Sequence, residues 1–208
     1  MLDRFYYEVL QPWLRLEERA GQNICVATHF SDVVSLGNEA AIAAYHHWEK
    51  VHRANGSSSV PPMTSARAEW LRQRLGELSD SAKHGTLRSK ERQTAVKTAL
   101  GFEFNASGKF RFLRTILIAA NRNAGEFDVA ETIREYLQTL CVELKYNVEI
   151  AAAPPTSEFI DAAVTYFYPQ PFITIPTTSL SFFTRRADGK LERADPSEVK
   201  FEVREVRS

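Results

Sequence analysis

The residues with the clearest chemical potential lie at the end of a predicted helix. Asp80 and His84 are four residues apart, and Lys83 stands directly before the histidine. On a helix this spacing puts the carboxylate and the imidazole on one face, where the carboxylate can orient the ring. The pattern predicts acid-base chemistry in which His84 is the acid or base, Asp80 orients it and Lys83 stabilises phosphate charge. The alternative is a helix C-terminus where Lys83 and His84 only complement the helix dipole.

Basic residues are concentrated in the middle of a chain whose 26 basic and 26 acidic residues cancel. Between positions 83 and 123, nine basic residues stand against two acidic ones, a local charge of +7. Such a cluster could face a phosphate backbone, so RNA or DNA is an expected partner. The alternative is a solvated strand face whose basic residues pair with acidic helices. The candidate nucleic-acid-binding residues are Arg88, Lys90, Arg92, Lys97, Lys109, Arg111 and Arg114.

Other side chains give little sign of a metal or cofactor. Glu49 and His52 have the Glu-x-x-His spacing of di-iron helical bundles, but the motif occurs once and without a second pair of acidic ligands. His47 lies on a predicted apolar stripe and is interpreted as a hydrogen-bonded core residue. The sequence contains no phosphate-binding loop, dinucleotide fingerprint or hydrolase elbow. We therefore expect no metal and no cofactor.

Cysteine content and apolar patterning indicate the cellular compartment. Cys25 and Cys141 lie far apart, with no further ligand at metal spacing, which favours reduced and buried thiols. The first residues include charged side chains, and no stretch approaches the roughly 18 apolar residues that cross a membrane. The sequence therefore predicts a cytoplasmic protein with no membrane partner.

Apolar periodicity predicts four helices. The first runs from Leu2 to Ala20 with a break or bend at Pro12, and the others span about 31–55, 64–85 and 128–146. Ser31, Thr64 and Asp128 are the expected N-caps. The helices from Ser31 and from Thr64 should pack antiparallel, because each carries an apolar stripe. The N-terminal helix should pack on the body through Phe5, Val9, Leu10, Trp13, Leu14 and Leu16.

Alternating apolar and polar residues predict strands after the third helix. Gln93–Phe104 and Lys109–Ala119 form two strands around a turn at residues 105–108. The C-terminal third reads as mostly strand, with segments at 172–185 and 199–204 and a turn at Asp188-Gly189. These C-terminal strands could pair with the earlier hairpin.

The segment from Ser79 to Leu87 reads Ser-Asp-Ser-Ala-Lys-His-Gly-Thr-Leu. It resembles the Asp-x-Ala-Asn-x-x-Lys-His-x-x-Leu signature of a broad set of bacterial HEPN-like helical proteins, with Asp80 at the Asn position and Glu77 at the Asp position. The resemblance implies a helical core over about residues 30–145, a dimer, and a role in bacterial defence or stress. HEPN ribonucleases use an Arg followed four to six residues later by His, a spacing that no histidine of this chain has.

Together these patterns predict an α+β fold with an antiparallel, HEPN-like helical core, an inserted β-hairpin and a mostly β C-terminal extension. The domain covers residues 1–150, and the extension, 151–208, packs on the same body. The first functional hypothesis is a non-enzymatic component that binds or senses nucleic acid or a partner protein, as a homodimer. One alternative is a metal-independent ribonuclease, and another is a purely structural interaction module.

Overall fold

The computed structural model describes the side chains of residues 2–22, 31–84, 87, 90–122, 125–155, 157–159, 181–187 and 191–194, and the backbone at 165–166, 179–180 and 204–205. Within these residues the helices are α1 (Leu2–Phe5), α2 (Gln11–Gly21), α3 (Ser31–Ala54), α4 (Ala66–His84) and α5 (Val129–Glu143), and a π-helical turn (Tyr6–Leu10) joins α1 to α2. The strands are β1 (Ala95–Phe104), β2 (Phe110–Asn121), β3 (Gly125–Asp128), β4 (Thr165–Tyr166), β5 (Ser179–Arg185), β6 (Leu191–Arg193) and β7 (Arg204–Glu205).

The strands form a sheet that overturns the predicted fold class. Five strands pair in the order β3-β2-β1-β5-β6, and β4 pairs with β7 in a two-stranded sheet. Over the part of the chain that the structure describes, the fold is mixed α/β with four helical stretches, and the expected HEPN-like helical core is wrong. The physical reason is that β1 and β2, 10 and 12 residues long, each have a partner strand on both sides. They are therefore the interior of a sheet and not a hairpin inserted between helices.

The chain forms two compact units. The first, called the helical unit, consists of Met1–Arg19, Ser31–Lys97 and Leu117–Ala153. The second, called the strand unit, consists of residues 20–30, 98–116 and 154–208. Strands β1 and β2 contribute residues to both units.

The N-terminal helix is confirmed, and its irregular turn has a local cause. Pro12 has no backbone N–H and cannot donate the hydrogen bond that an α-helix needs at its position. Directly before it, the Gln11 N–H donates to the carbonyl of Tyr6, five residues back, which is the register of a π-helix. The predicted break at Pro12 is therefore a change of hydrogen-bond register within a helical stretch that continues from Leu2 to Gly21.

Helices α3 and α4 pack antiparallel, as the sequence predicts. Tyr45 lies on Gly76, where an added Cβ would come within 2.8 Å of the ring carbon Cε2. Nearer the end of α3, the Trp48 indole N–H donates to the carbonyl of Pro61, which precedes α4, at 2.8 Å. A later residue of α3 thus contacts a residue nearer the start of α4, so the two helices run in opposite directions. The α4 side of this core is made by Leu71, Leu75 and Leu78.

Helix α5 begins where the capping pattern predicts. The Asp128 carboxylate Oδ1 accepts the N–H of Glu131 at 3.0 Å, which satisfies one of the free donors of the first turn. The helix then buries Ile133, Leu137 and Leu140 at helical spacing. Its three- and four-residue periodicity therefore places one continuous stripe in the core of the helical unit.

Replacing Leu78 with Ala tests this core. Leu78 is 1% exposed, so its truncation removes apolar contacts and leaves a cavity. We expect the free energy of unfolding, measured with urea, to fall by about 2–5 kcal/mol. The control is Val142→Ala on α5, which is 78% exposed and should change that free energy by less than about 0.5 kcal/mol. An unchanged unfolding midpoint for Leu78→Ala would show that this side chain is not core.

The predicted turn between β1 and β2 is confirmed. The Asn105 side-chain Oδ1 accepts the N–H groups of Ser107 at 3.1 Å and of Lys109 at 3.0 Å. Gly108 has a φ of +75°, a left-handed conformation that glycine adopts without steric cost. The turn chemistry thus fixes where β1 ends and β2 begins.

The C-terminal strands join the sheet through β1. Strand β5 runs parallel to β1, with Phe182 opposite Phe102, and β6 runs antiparallel to β5. The predicted Asp188-Gly189 turn between β5 and β6 lies outside the described residues, as does the predicted strand at 199–204 apart from Arg204. The strand unit packs an aromatic cluster made of Phe102, Phe104, Phe110, Phe112 and Phe182.

A buried carboxylate links three strands of the strand unit. Glu103 on β1 is 2% exposed, and its oxygens lie 2.7 Å from Nη2 of Arg111 on β2 and 2.7 Å from Nε of Arg185 on β5. Burial acts to raise the pKa of Glu103, but the hydrogen bonds from Arg185 and Arg111 outweigh it and hold the pKa below its usual value. Phe159 covers the Arg111 guanidinium, which lies 4.4 Å from the ring centroid.

Replacing Glu103 with Gln should destabilise the strand unit, because two guanidinium groups lose their counterion. We expect the free energy of unfolding to fall by about 3 kcal/mol. This is the lower end of the range for buried ion pairs, because Arg185 reaches solvent. The lowered pKa means that the wild-type advantage is present above about pH 4.3 and is lost as the pH falls further. The control Glu192→Gln breaks an exposed pair with Arg186 and should leave urea unfolding unchanged. Equal effects of the two substitutions at pH 7 would contradict the role of Glu103.

Candidate functional site

The three predicted catalytic residues do not form the expected arrangement. Asp80 Oδ2 accepts from Nη2 of Arg92 at 2.7 Å, and the Lys83 ammonium bonds the imidazole of His46. His84 is exposed, and no hydrogen bond to it is found among the residues that the structure describes. All three side chains lie in the last turns of α4, but Asp80 is engaged elsewhere and does not orient His84. The acid-base role of His84 stays a prediction.

The predicted basic surface is partly neutralised. Arg92 pairs with Asp80, Lys97 with Glu126 at 2.6 Å, and Arg111 with Glu103. The alternative interpretation expects pairing with acidic helices, and only Asp80 lies on a helix, because Glu126 belongs to β3 and Glu103 to β1. Of the remaining candidates, Lys90 is exposed, Lys109 and Arg114 are half-buried, and Arg88 lies outside the described residues. Nucleic-acid binding by this surface stays a prediction.

The N-terminal helix leaves large apolar side chains in solvent. Tyr7 is 70% exposed, Leu2 is 48% exposed, and Tyr6 and Leu14 are each more than two-fifths exposed. Beside them lies an open groove of about 420 Å³. Its lining includes Leu2, Tyr6, Leu10, Trp13, Leu14 and Ile150. The groove therefore lies between the N-terminal helix and the segment that follows α5.

The aromatic ring of Phe5 holds one wall of the groove in place. Phe5 is fully buried and packs on the rings of His47 and Tyr146, with centroid distances of 5.1 and 4.9 Å. His47 Nε2 lies 3.4 Å from the Tyr146 hydroxyl, so the polar edges of these two rings face each other. The N-terminal helix is thereby fixed to α3 and to the segment after α5.

Two hydrogen bonds hold the opposite wall. The Gln138 side-chain amide on α5 donates to the carbonyl of Ile150 at 2.8 Å. Farther along, the Ala153 N–H donates to the Glu17 carboxylate at 3.2 Å, which ties the segment back to α2. The segment from Val148 to Ile150 lacks regular structure of its own, so these bonds give it a defined position.

Two carboxylates lie at the rim of the groove. Asp3 and Glu149 line the groove, and neither has an ion-pair partner among the described side chains. The neighbouring Glu8 differs, because its carboxylate bonds Lys50 at 2.8 Å. The groove thus combines an apolar interior with two carboxylates that form no ion pair with any side chain the structure describes.

Sequence reasoning missed this surface. Leu14 is expected on the packed side of the N-terminal helix, but it is exposed, whereas Phe5, Val9 and Leu16 are buried as expected. The available signal was an excess of apolar residues: the buried stripe is already complete without Leu14 and the adjacent Tyr6 and Tyr7. Apolar residues beyond one helical stripe indicate a second contact surface.

Comparisons with known proteins give this site no precedent. No family profile, curated protein or solved structure matches the chain significantly. Within the described residues, no three His, Cys, Asp or Glu side chains stand close enough to hold a metal ion. None of the described helices is long and apolar enough to span a bilayer.

Low pH should destabilise the folded chain by protonating His47, whose ring packs on Phe5. Burial, which disfavours the imidazolium form, lowers the pKa of His47 to about 4. Between about pH 6.5 and 4 the unfolded chain binds a proton that the folded chain does not, so stability falls as the pH drops, by about 3 kcal/mol in total. Urea unfolding at pH 7, 5 and 4 measures this fall.

The variant His47→Gln cannot titrate, so its stability should fall less across the same window. The matched control is His84→Gln, because His84 is exposed and its replacement should leave the full fall in place. A His47→Gln variant that retains the whole pH dependence would assign it to other groups.

Proposed function

We propose that this chain is a protein-binding module whose N-terminal groove receives a partner segment with a bulky apolar side chain next to Lys or Arg. The observation that carries the proposal is the apolar groove with the carboxylates of Asp3 and Glu149 at its rim. This develops the hypothesis of a non-enzymatic component that engages a partner protein.

The dimensions and lining of the groove support a binding role. A volume of about 420 Å³ falls within the range of pockets that hold a small molecule or a few side chains. Tyrosine is enriched at the centres of protein interfaces, because it buries a large area with little loss of conformational entropy. Tyr6 lines the groove and the neighbouring Tyr7 extends the same apolar surface. Covering these rings would remove apolar area from water and stabilise a complex.

The charge of the rim supports a basic partner. A carboxylate at the edge of an apolar surface attracts a cation during encounter and repels an acidic segment. Asp3 and Glu149 together favour a partner that places a Lys or Arg beside the apolar side chain. The same charges disfavour phosphate, so this surface is not suited to a nucleic-acid backbone.

The proposal places the protein in the cytoplasm, in line with the one cysteine side chain among the described residues. Cys141 is a free thiol and is buried on α5. Burial raises the pKa of this thiol to about 11, so it remains protonated and unreactive at neutral pH. Binding experiments can therefore be done under reducing conditions without altering the fold.

A pair of matched peptides tests the groove. The first is an amphipathic peptide of leucine and lysine, and the second has every lysine replaced by glutamate. We expect the lysine peptide to bind and the glutamate peptide to bind at least tenfold more weakly, because the rim carboxylates attract one and repel the other. Titration followed by tryptophan fluorescence measures both affinities, since Trp13 lines the groove.

Two variants identify the surface used. Leu14→Ser should weaken binding of the lysine peptide about tenfold, and Asp3→Asn combined with Glu149→Gln about threefold. The control is Val142→Ser, which also replaces an exposed aliphatic side chain but lies on α5, and it should bind as the wild type does. Equal binding of the two peptides would contradict the proposal, as would binding that Leu14→Ser leaves intact. Self-association of the chain that Leu14→Ser abolishes would show instead that a second copy occupies the groove.

A further inference from the structure

A chain of four side chains connects α3 to α4 away from the groove. The Lys83 ammonium, on the last turn of α4, bonds Nε2 of His46 on α3. On the other side of the ring, His46 Nδ1 lies 3.3 Å from Oε2 of Glu49. The second oxygen of Glu49 lies 2.5 Å from Nη2 of Arg53. All four residues belong to the helical unit.

The donors and acceptors fix the state of the imidazole. An ammonium group has only donors, so Nε2 of His46 must accept from Lys83. The ring is then neutral and carries its proton on Nδ1, which donates to Glu49. The bond from His46 holds the pKa of Glu49 below its usual value, so Glu49 is a carboxylate at neutral pH. The order of groups is carboxylate, imidazole and amine, the arrangement that activates a nucleophile beside an oriented base.

The partner of Lys83 distinguishes it from two other lysines of the helical unit. Lys50 bonds Glu8 at 2.8 Å and Lys97 bonds Glu126 at 2.6 Å. A carboxylate partner stabilises the ammonium form and is a poor base at neutral pH. An imidazole can accept the proton, and the resulting imidazolium of His46 would lie between Lys83 and the negative charge of Glu49. The amine of Lys83 is also exposed and can be reached by a reagent.

The charged groups around Lys83 do not block this transfer. On α4, Asp80 is engaged by Arg92, and the imidazole of His84 follows Lys83 in an exposed position. On α3, Arg53 is directed to Glu49. The nearest basic group that the contacts give to Lys83 is therefore His46.

We propose that Lys83 is a nucleophilic lysine that is acylated by acyl thioesters, with His46 as its base and Glu49 as the positioning residue. The Lys83 ammonium gives one proton to Nε2 of His46, and the free amine attacks the carbonyl carbon of the thioester. A C–N bond forms and the C–S bond breaks. The thiolate takes the second proton, which the nitrogen loses as the amide forms, and the imidazolium returns its proton to solvent.

Acylation would change the contact between the two helices. The amide nitrogen keeps one N–H but loses the positive charge, so the charge-assisted bond to His46 becomes an ordinary hydrogen bond. The site would thus respond to the supply of acyl thioesters by loosening the contact between the end of α4 and α3.

Acetylation of the full chain with the thioester S-acetyl-N-acetylcysteamine tests the proposal. Peptide mass spectrometry gives the rate at each lysine in one sample, so Lys50 and Lys97 are internal controls. We expect Lys83 to react at least fivefold faster than either at pH 7.5. In His46→Gln, where the amide oxygen can still accept from Lys83 but cannot take its proton, the Lys83 rate should fall to that of Lys50.

The pH profile separates a base from a structural contact. In the wild type the Lys83 rate should rise at lower pH than the Lys50 rate, and in His46→Gln the two profiles should coincide. Glu49→Gln should give a smaller fall in the Lys83 rate. An unchanged Lys50 rate shows that the variants remain folded, because the pair of Lys50 with Glu8 joins α3 to the N-terminal helical stretch. A Lys83 rate equal to that of Lys50 in the wild type, or unaffected by His46→Gln, would overturn the proposal.

Discussion

The burial of Phe5 is the constraint on which the binding surface depends. Its ring occupies the space between His47 on α3 and Tyr146 beyond α5, and this contact fixes the start of the chain on the body of the helical unit. Leu2 and Tyr6 flank this anchor and remain 48% and 43% exposed. The apolar groove is therefore a product of the packing, because one buried ring leaves its neighbours exposed.

Local patterns predicted the elements of this fold, but not how the strands are arranged. The Asp128 cap and the turn at Asn105–Gly108 were predictable because each is decided by hydrogen bonds within a few residues. The parallel pairing of β1 with β5 was not, because about 80 residues separate partners such as Phe102 and Phe182 and alternation alone does not specify a partner. The error in fold class follows from this: the two alternating strands were interpreted as a hairpin inserted in a helical core, and their possible pairing with C-terminal strands carried no register or direction.

The contacts of the candidate catalytic residues were not predicted either, because they too join residues that lie far apart in the chain. Spacing on one helix suggested that Asp80 would orient His84, but the fold brings Arg92 to Asp80 and His46 to Lys83. Both partners come from other elements, so no helical periodicity indicates them. Adjacent positions on α3 then differ in burial and in partners: His47 is buried and packs on Phe5, whereas His46 reaches the surface and contacts Lys83.

The π-helical turn before Pro12 sets the angular phase between the two ends of the N-terminal helix. A turn with five-residue hydrogen bonds contains one residue more than the α-helical path, and each residue of an α-helix corresponds to about 100° of rotation. If this segment kept all its residues but closed as a regular α-helix, Leu2–Phe5 would therefore rotate by about that angle relative to α2. Phe5 would leave its place between His47 and Tyr146 while α2 kept its own packing. The hydrogen-bond register of this short segment thus decides which side chains of the first turn face the core.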